Sequence, residues 1–248
     1  MDGYIKSKSE FLSDGFAGVR VDPILSALDR AQKQGAPQPD IDIRHCLTLI
    51  ALPPQSVIAL AEDIQNRLKA VSPNIWLVPA RNLHITLLEL VSGKTEADVD
   101  AVIQQLGCVS DALVAYPRAH PARLVRPRLN FDFGGLALSF VPDELQDVRE
   151  GDIASTQTYH HLRRDLYALS LSVGVLPQSR YTLPSAHITI ARFISDNDFV
   201  RSEHLSRLLR ASTASWETSS LGWMVGEAGV ELRKGRTWYG GGEAVCRS

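Results

Sequence analysis

Two five-residue segments, Leu83-His84-Ile85-Thr86-Leu87 and Ala186-His187-Ile188-Thr189-Ile190, stand 103 positions apart and read alike: apolar, His, Ile, Thr, apolar. Their β-branched content and alternation predict strands. Residues two apart in a strand project to the same face. His84 and Thr86 therefore share one face, and so do His187 and Thr189, while Leu83, Ile85 and Leu87, and Ala186, Ile188 and Ile190, turn to the opposite, apolar side. Each half of the chain must then supply a strand with a core face and a polar face, the imidazole and hydroxyl about 7 Å apart. Strict alternation puts Glu89 in phase with Ile85 and Leu87, away from the histidines.

The elements around these strands point to an α+β protein with antiparallel sheets. An apolar run over 45–52, closed by Pro53-Pro54, predicts a strand, and Val57, Leu60, Ala61, Ile64, Leu68 and Val71 predict a helix over 54–71. Short strands are expected at 75–78 and 83–90. Thr95-Glu96-Ala97-Asp98 is a capping box that opens a helix ending at Gly107. Strands follow at 123–126, 129–133 and 136–141, with a hairpin turn at Gly134-Gly135. A helix over 155–173, a strand over 186–193, a helix over 198–211 and glycine-broken strands over 216–245 complete the series. Upstream, Asp22-Pro23 opens a short helix that Gly35 ends. Residues 1–40 read as an N-terminal extension that either packs on the core or covers a site. Residues 41–248 read as one domain of two similar lobes, divided near 110–120.

An imidazole from each half suits phosphoester cleavage without a metal. One neutral ring takes a proton from water or a hydroxyl; the other, as imidazolium, protonates the leaving oxygen. Thr86 and Thr189 are candidate donors to the nonbridging phosphate oxygens. No cofactor is expected. Two histidines fall short of the three protein ligands common in catalytic zinc sites, so no metal is expected either. Signatures for serine hydrolases, phosphate-binding loops, dinucleotide folds, zinc proteases and EF-hands are absent from the sequence.

The paired His-Ile-Thr segments resemble the signature of the 2H phosphoesterases. Pro79-Ala80-Arg81-Asn82, which leads into the first pair, is similar to the approach in many members, as are the proline-ended strand over 45–53 and Gly235-Arg236-Thr237-Trp238-Tyr239. The resemblance covers about 44–245. It implies a bilobal fold, two pseudo-symmetric lobes around a central cleft lined by His84, Thr86, His187 and Thr189. It also implies action on 2′,3′-cyclic phosphates, cyclic ADP-ribose phosphates or 2′–5′ linkages. The leading expectation is a phosphodiesterase that opens 2′,3′-cyclic phosphates of nucleotides or RNA ends. The alternatives are a nucleotide-binding module of AMP type without turnover, and an RNA 2′–5′ ligase or 2′–5′ phosphodiesterase.

Further candidates carry less weight. Arg118, His120, Arg123, Arg126 and Arg128 form the densest basic stretch, placed where a loop between the halves reaches the cleft mouth. Arg123, Arg126, Arg128 and Tyr239 are candidate substrate contacts. Tyr159 and Phe131 read as core, and His160 and His161 as solvent-facing. A formal net charge of −2 excludes a protein that coats nucleic acid and leaves room for one that grips an RNA end. Three cysteines without CxxC spacing read as free thiols in a reducing compartment. Neither a secretory leader nor an apolar run of membrane-spanning length is visible. The expectation is a cytoplasmic or nuclear monomer whose partner is a nucleotide or RNA end and not a membrane.

Overall fold

The computed structural model describes residues 18–143, 157–178, 185–196 and 221–248. Its helices are α1 (Pro23–Lys33), α2 (Gln55–Val71), α3 (Glu96–Leu106), α4 (Val109–Ala119) and α5 (Tyr159–Leu171). Its strands are β1 (His45–Ala51), β2 (Trp76–Leu77), β3 (Ile85–Lys94), β4 (Arg123–Asp132), β5 (Gly135–Pro142), β6 (His187–Arg192), β7 (Gly222–Met224), β8 (Val230–Gly235) and β9 (Glu243–Arg247). Short 3₁₀ turns cover Ala80–Asn82 and Thr237–Tyr239. The result is a mixed α/β fold with a large antiparallel sheet. The expected helix over 198–211 lies outside the described residues.

The sheet runs β7-β4-β5-β6-β3-β1-β8-β9, with β2 also pairing β6. β3 and β6 are adjacent at its centre, joined through Ile85 opposite Ile188. The C-terminal β8 and β9 cross back to extend the side built on β1 and β3, while β7 extends the other side. Both sides belong to one hydrogen-bonded sheet path, and both draw strands from the C-terminus.

Core formation follows the sequence pattern. Val57, Ala61, Ile64 and Leu68 of α2, Tyr159, Leu162 and Leu166 of α5, and the apolar faces of β1, β3, β5 and β6 form one buried cluster. α1 is capped by Asp22, whose Oδ1 accepts from the Leu25 amide at 3.0 Å, with Pro23 in the first turn. The capping box at Thr95 and Asp98 forms as expected. Cys46, Cys108 and Cys246 are free thiols. Among the described residues no helix is long and apolar enough to cross a membrane.

One expectation about the basic stretch needs correction. The stretch expected on a loop between the halves begins in a helix, since residues 109–119 form α4 with Arg118 in its last turn, and the strands expected at 123–126 and 129–133 are one strand, β4, that holds Arg123, Arg126 and Arg128. Gly107, with φ 52°, lets α3 end and α4 begin with almost no spacer, and Pro117 sits in α4's last turn. Those two residues conceal a second helix from sequence reading.

Candidate active site

Antiparallel pairing of Ile85 with Ile188 fixes the geometry of the four motif residues. Carried one residue either way, that register sets His84 across from Thr189 and Thr86 across from His187. Directly opposed residues have Cβ atoms about 5 Å apart and diagonal ones about 7–8 Å. Each imidazole thus faces the other strand's hydroxyl, and the two imidazoles sit on a diagonal. All four line one recess, together with Thr48, Trp76, Glu89, Arg192, Thr237, Tyr239 and Gly240. A roomier depression of about 520 Å³ lies between the end of α4 and the β7–β8 turn. It lacks convergent titratable groups of this kind, and chemistry rather than volume selects the recess.

Glu89 is on the histidine side, contrary to strict alternation. Leu88 pairs with Leu49 and Thr86 with Ile50, so Leu87 is an extra residue in β3. Leu87 and Leu88 both face the core, and Glu89 emerges on the cavity face. β6 does the same: Ala191 pairs with Leu136 and Thr189 with Ala137, leaving Ile190 as the extra residue. Ile190 and Ala191 are both buried, and Arg192 lines the recess. Each strand therefore reads His-Ile-Thr, two core residues across a β-bulge, then a charge. The signal was in the sequence: Leu87-Leu88-Glu89 and Ile190-Ala191-Arg192 break the alternation at the same offset from their threonines.

Both bulges are held by side chains from the helices. Gln65 of α2 is buried, and its Nε2 donates to the carbonyls of Ile190 and Val78, each at 2.8 Å. On β3 the Thr86 carbonyl accepts from Arg163 Nη1 at 3.0 Å and Tyr159 Oη at 3.2 Å, both from α5. The Glu89 carbonyl accepts from the Gln178 amide at 3.1 Å. Buried carbonyls freed from the ladder need such donors. Tyr159 is fully buried, as its helix face requires, and its hydroxyl also serves the site strand.

The histidines differ in how they are oriented. His84 Nδ1 lies 2.8 Å from the Asn82 carbonyl, an acceptor only, so Nδ1 carries the proton and Nε2 is the working nitrogen. His187 Nδ1 lies 2.8 Å from Ser185 Oγ and 3.4 Å from the Ser185 carbonyl. A hydroxyl can give or take a proton in its hydrogen bond, so this partner accommodates either tautomer. Burial lowers the pKa of both rings below the ordinary histidine value. Arg233, His187 and Arg192 push His84 further down. Arg163 and Arg192 do the same to His187; the backbone contacts to Asn82 and Ser185 oppose the lowering of each ring, and Asp132 adds a smaller opposing effect at His187.

The C-terminal turn closes the recess. Asn82 Nδ2 donates to the Tyr239 carbonyl at 3.4 Å, and Arg233 Nη1 to the Gly240 carbonyl at 3.2 Å. Gly240 has φ 79°, and a Cβ there would lie 2.4 Å from Asn82 Cβ. Only glycine lets this turn approach the residue that holds His84. Sequence reading missed Glu89, Arg192, Arg163, Arg233, Thr48, Gln65 and Ser185.

The weaker candidates separate. Tyr239 lines the recess. Arg128 pairs with Ser139, which pairs with His187, so it shares the histidine face two strands out. Arg123 lies farther along β4 and is bonded to Asp143 at 3.1 Å. Arg126 has φ 53° at the β4 register shift, and it is not among the residues around the recess.

No protein-family model and no curated protein matches the chain. Among solved structures it is similar to TT0787 of Thermus thermophilus, at 18% identity and TM-score 0.47, over 76% of this chain and 87% of that one. It is also similar to E. coli LigT complexed with ATP, at 14% identity and TM-score 0.38, over 83% and 97%. Usb1 of Kluyveromyces marxianus gives 14% and 0.38, over 80% and 97%. These three belong to the 2H phosphoesterase superfamily. The chemistry proposed below rests on the site itself.

Proposed function

We propose that the protein is a phosphodiesterase that opens 2′,3′-cyclic phosphates of nucleotides or RNA ends by metal-independent, two-histidine acid–base catalysis. The observation that carries this reading is the β3–β6 register, which turns two imidazoles and two threonine hydroxyls into one recess beside Arg192. Nonbridging phosphate oxygens accept from the Thr86 and Thr189 hydroxyls and from Arg192. One imidazole takes a proton from water as the water oxygen bonds to phosphorus. The other protonates the departing ribose oxygen as its bond to phosphorus breaks, leaving a monophosphate and a free hydroxyl. Burial depresses both pKa values, which favours the neutral ring in the free protein. A bound phosphate anion raises them, so that one ring holds the proton it must donate.

Arg128, on the histidine face two strands out, favours an RNA end over a mononucleotide. A site two strands away is about 10 Å off, the reach of the next nucleotide.

Product analysis tests the reading. The purified protein is incubated, with EDTA present, with the four nucleoside 2′,3′-cyclic monophosphates and with RNA bearing a cyclic end, and His84→Ala and His187→Ala are run alongside. The expected result is turnover to a monophosphate that falls about 10²–10⁴-fold in both variants. Near-wild-type turnover in either variant sinks the assignment. Loss of activity in EDTA points to a metal enzyme, and AMP binding without turnover to the nucleotide-binding module.

A further inference from the structure

The N-terminal segment takes no part in the chemistry above, yet it contacts Tyr239, a residue that lines the recess. The Asp22 amide donates to the Phe193 carbonyl at 3.1 Å and Ser26 Oγ to the Ile194 carbonyl at 3.2 Å, which docks the start of α1 just beyond β6. The Asp22 carboxylate extends from this anchor to Tyr239, whose hydroxyl lies 2.8 and 2.9 Å from its two oxygens and donates to it. Arg44 Nη2 donates to the same hydroxyl at 3.0 Å. The Tyr239 hydroxyl is thus fixed from both sides, and burial pushes its pKa up to about 12. The Tyr239 ring meets Trp76 edge-on at 6.1 Å and lies 5.8 Å from the Arg192 guanidinium carbon. Trp76, Arg192 and Tyr239 all line the recess.

We propose that the start of α1 backs the site from behind Tyr239 and that Asp22 is a positioning residue. It holds Tyr239, and through the ring Arg192, in the arrangement that receives substrate. This rests on the catalytic reading above and adds a second role to the helix cap. A tyrosine fixed at both its ring and its hydroxyl is organised before substrate arrives, so freeing it weakens substrate binding more than it slows the chemical step.

The test compares steady-state kinetics on the best 2′,3′-cyclic nucleotide for wild type, Asp22→Ala, Asp22→Asn, Tyr239→Phe, Ser26→Ala and the Asp22→Ala/Tyr239→Phe double variant. All are assayed well below the melting temperature measured for each. Asp22→Ala and Tyr239→Phe are expected to raise KM about fivefold each, with kcat within about twofold. The double variant should raise KM no further than either single one. Asp22→Asn keeps an acceptor and a good helix cap, and Ser26→Ala loosens docking without touching Tyr239; both should stay near wild-type KM. An unchanged KM in Asp22→Ala, multiplying effects in the double variant, or a Ser26→Ala effect equal to that of Asp22→Ala overturns the proposal while the phosphodiesterase stands. A wild type that binds 3′-AMP without turnover is compared by Kd on the same criteria. A wild type that neither turns over nor binds nucleotide removes the catalytic reading and this proposal together.

Discussion

β3 and β6 follow one plan: histidine, isoleucine, threonine, a bulge that sends two residues into the core, then a charged side chain returned to the recess. They differ in what the plan carries. β3 delivers Glu89 and β6 delivers Arg192. His84 is oriented by a backbone carbonyl alone, and His187 by both the hydroxyl and the carbonyl of Ser185. The leading charges around His84 are all positive, whereas Asp132 counters the arginines around His187. A duplicated frame thus holds an unsymmetrical charge pattern, and under the proposed chemistry that asymmetry would divide the acid and base roles between the two histidines. His84, whose pKa is lowered first by burial and then by neighbouring cations, and which holds its proton on Nδ1, would suit the base. His187, lowered first by burial but with the Ser185 carbonyl and the Asp132 carboxylate opposing its cations, would suit the acid.

The largest effect that separates the two strands comes from the leaving group. A p-nitrophenyl nucleotide ester expels a stable phenolate that needs no proton. His187→Ala, down about 10²–10⁴-fold on a cyclic phosphate, should recover most of that loss on the ester, while His84→Ala stays low on both. Recovery by His84→Ala instead reverses the roles, and equal behaviour of the two variants ends the comparison.

The two bulge-delivered charges come next. In the proposed reaction Arg192 would contact the phosphate, and Glu89 carries the wrong sign to do so. Arg192→Ala should therefore lower kcat/KM about 10²-fold on a cyclic nucleotide, and Glu89→Gln less than about fivefold, as judged from initial rates. Similar losses from both would show that charge placement, and not charge sign, matters in this recess.

Much of this was legible in sequence because it rests on local rules. The four motif residues share a recess as strand periodicity requires, and the helix at 96–106 follows its capping box. Tyr239 was found through the residues around it. The misses have a common cause. A bulge is set by the register with a neighbouring strand, so alternation within β3 placed Glu89 on the wrong face. Gln65 was passed over because helical spacing identifies buried positions, and a lone polar residue between Ile64 and Leu68 reads as the edge of the apolar face. Asp22 reads correctly as a helix cap, but its contact with Tyr239 spans 217 residues and no local pattern announces it.

The smallest expected effect asks whether the two bulges are held with equal firmness. Gln65 offers one amide to two buried carbonyls, and the Ile190 carbonyl also accepts from the Val78 amide at 3.0 Å. Leucine at 65 has similar bulk and no donor, so Gln65→Leu leaves the Val78 carbonyl short of a partner in the core. That costs about 2 kcal/mol, read as a lower urea midpoint at unchanged m-value. Tyr159→Phe removes one of two donors to the Thr86 carbonyl, and Arg163 remains at 3.0 Å, so about 1 kcal/mol is expected. The functional consequence should follow the same order. A loosened β6 bulge misdirects Arg192 and lowers kcat/KM in folded Gln65→Leu protein, whereas Tyr159→Phe leaves the Arg163 bond beside the β3 bulge in place and turnover near normal. Equal stability losses with full activity in both variants would mean that the register, and not the helix side chains, holds the bulges in place.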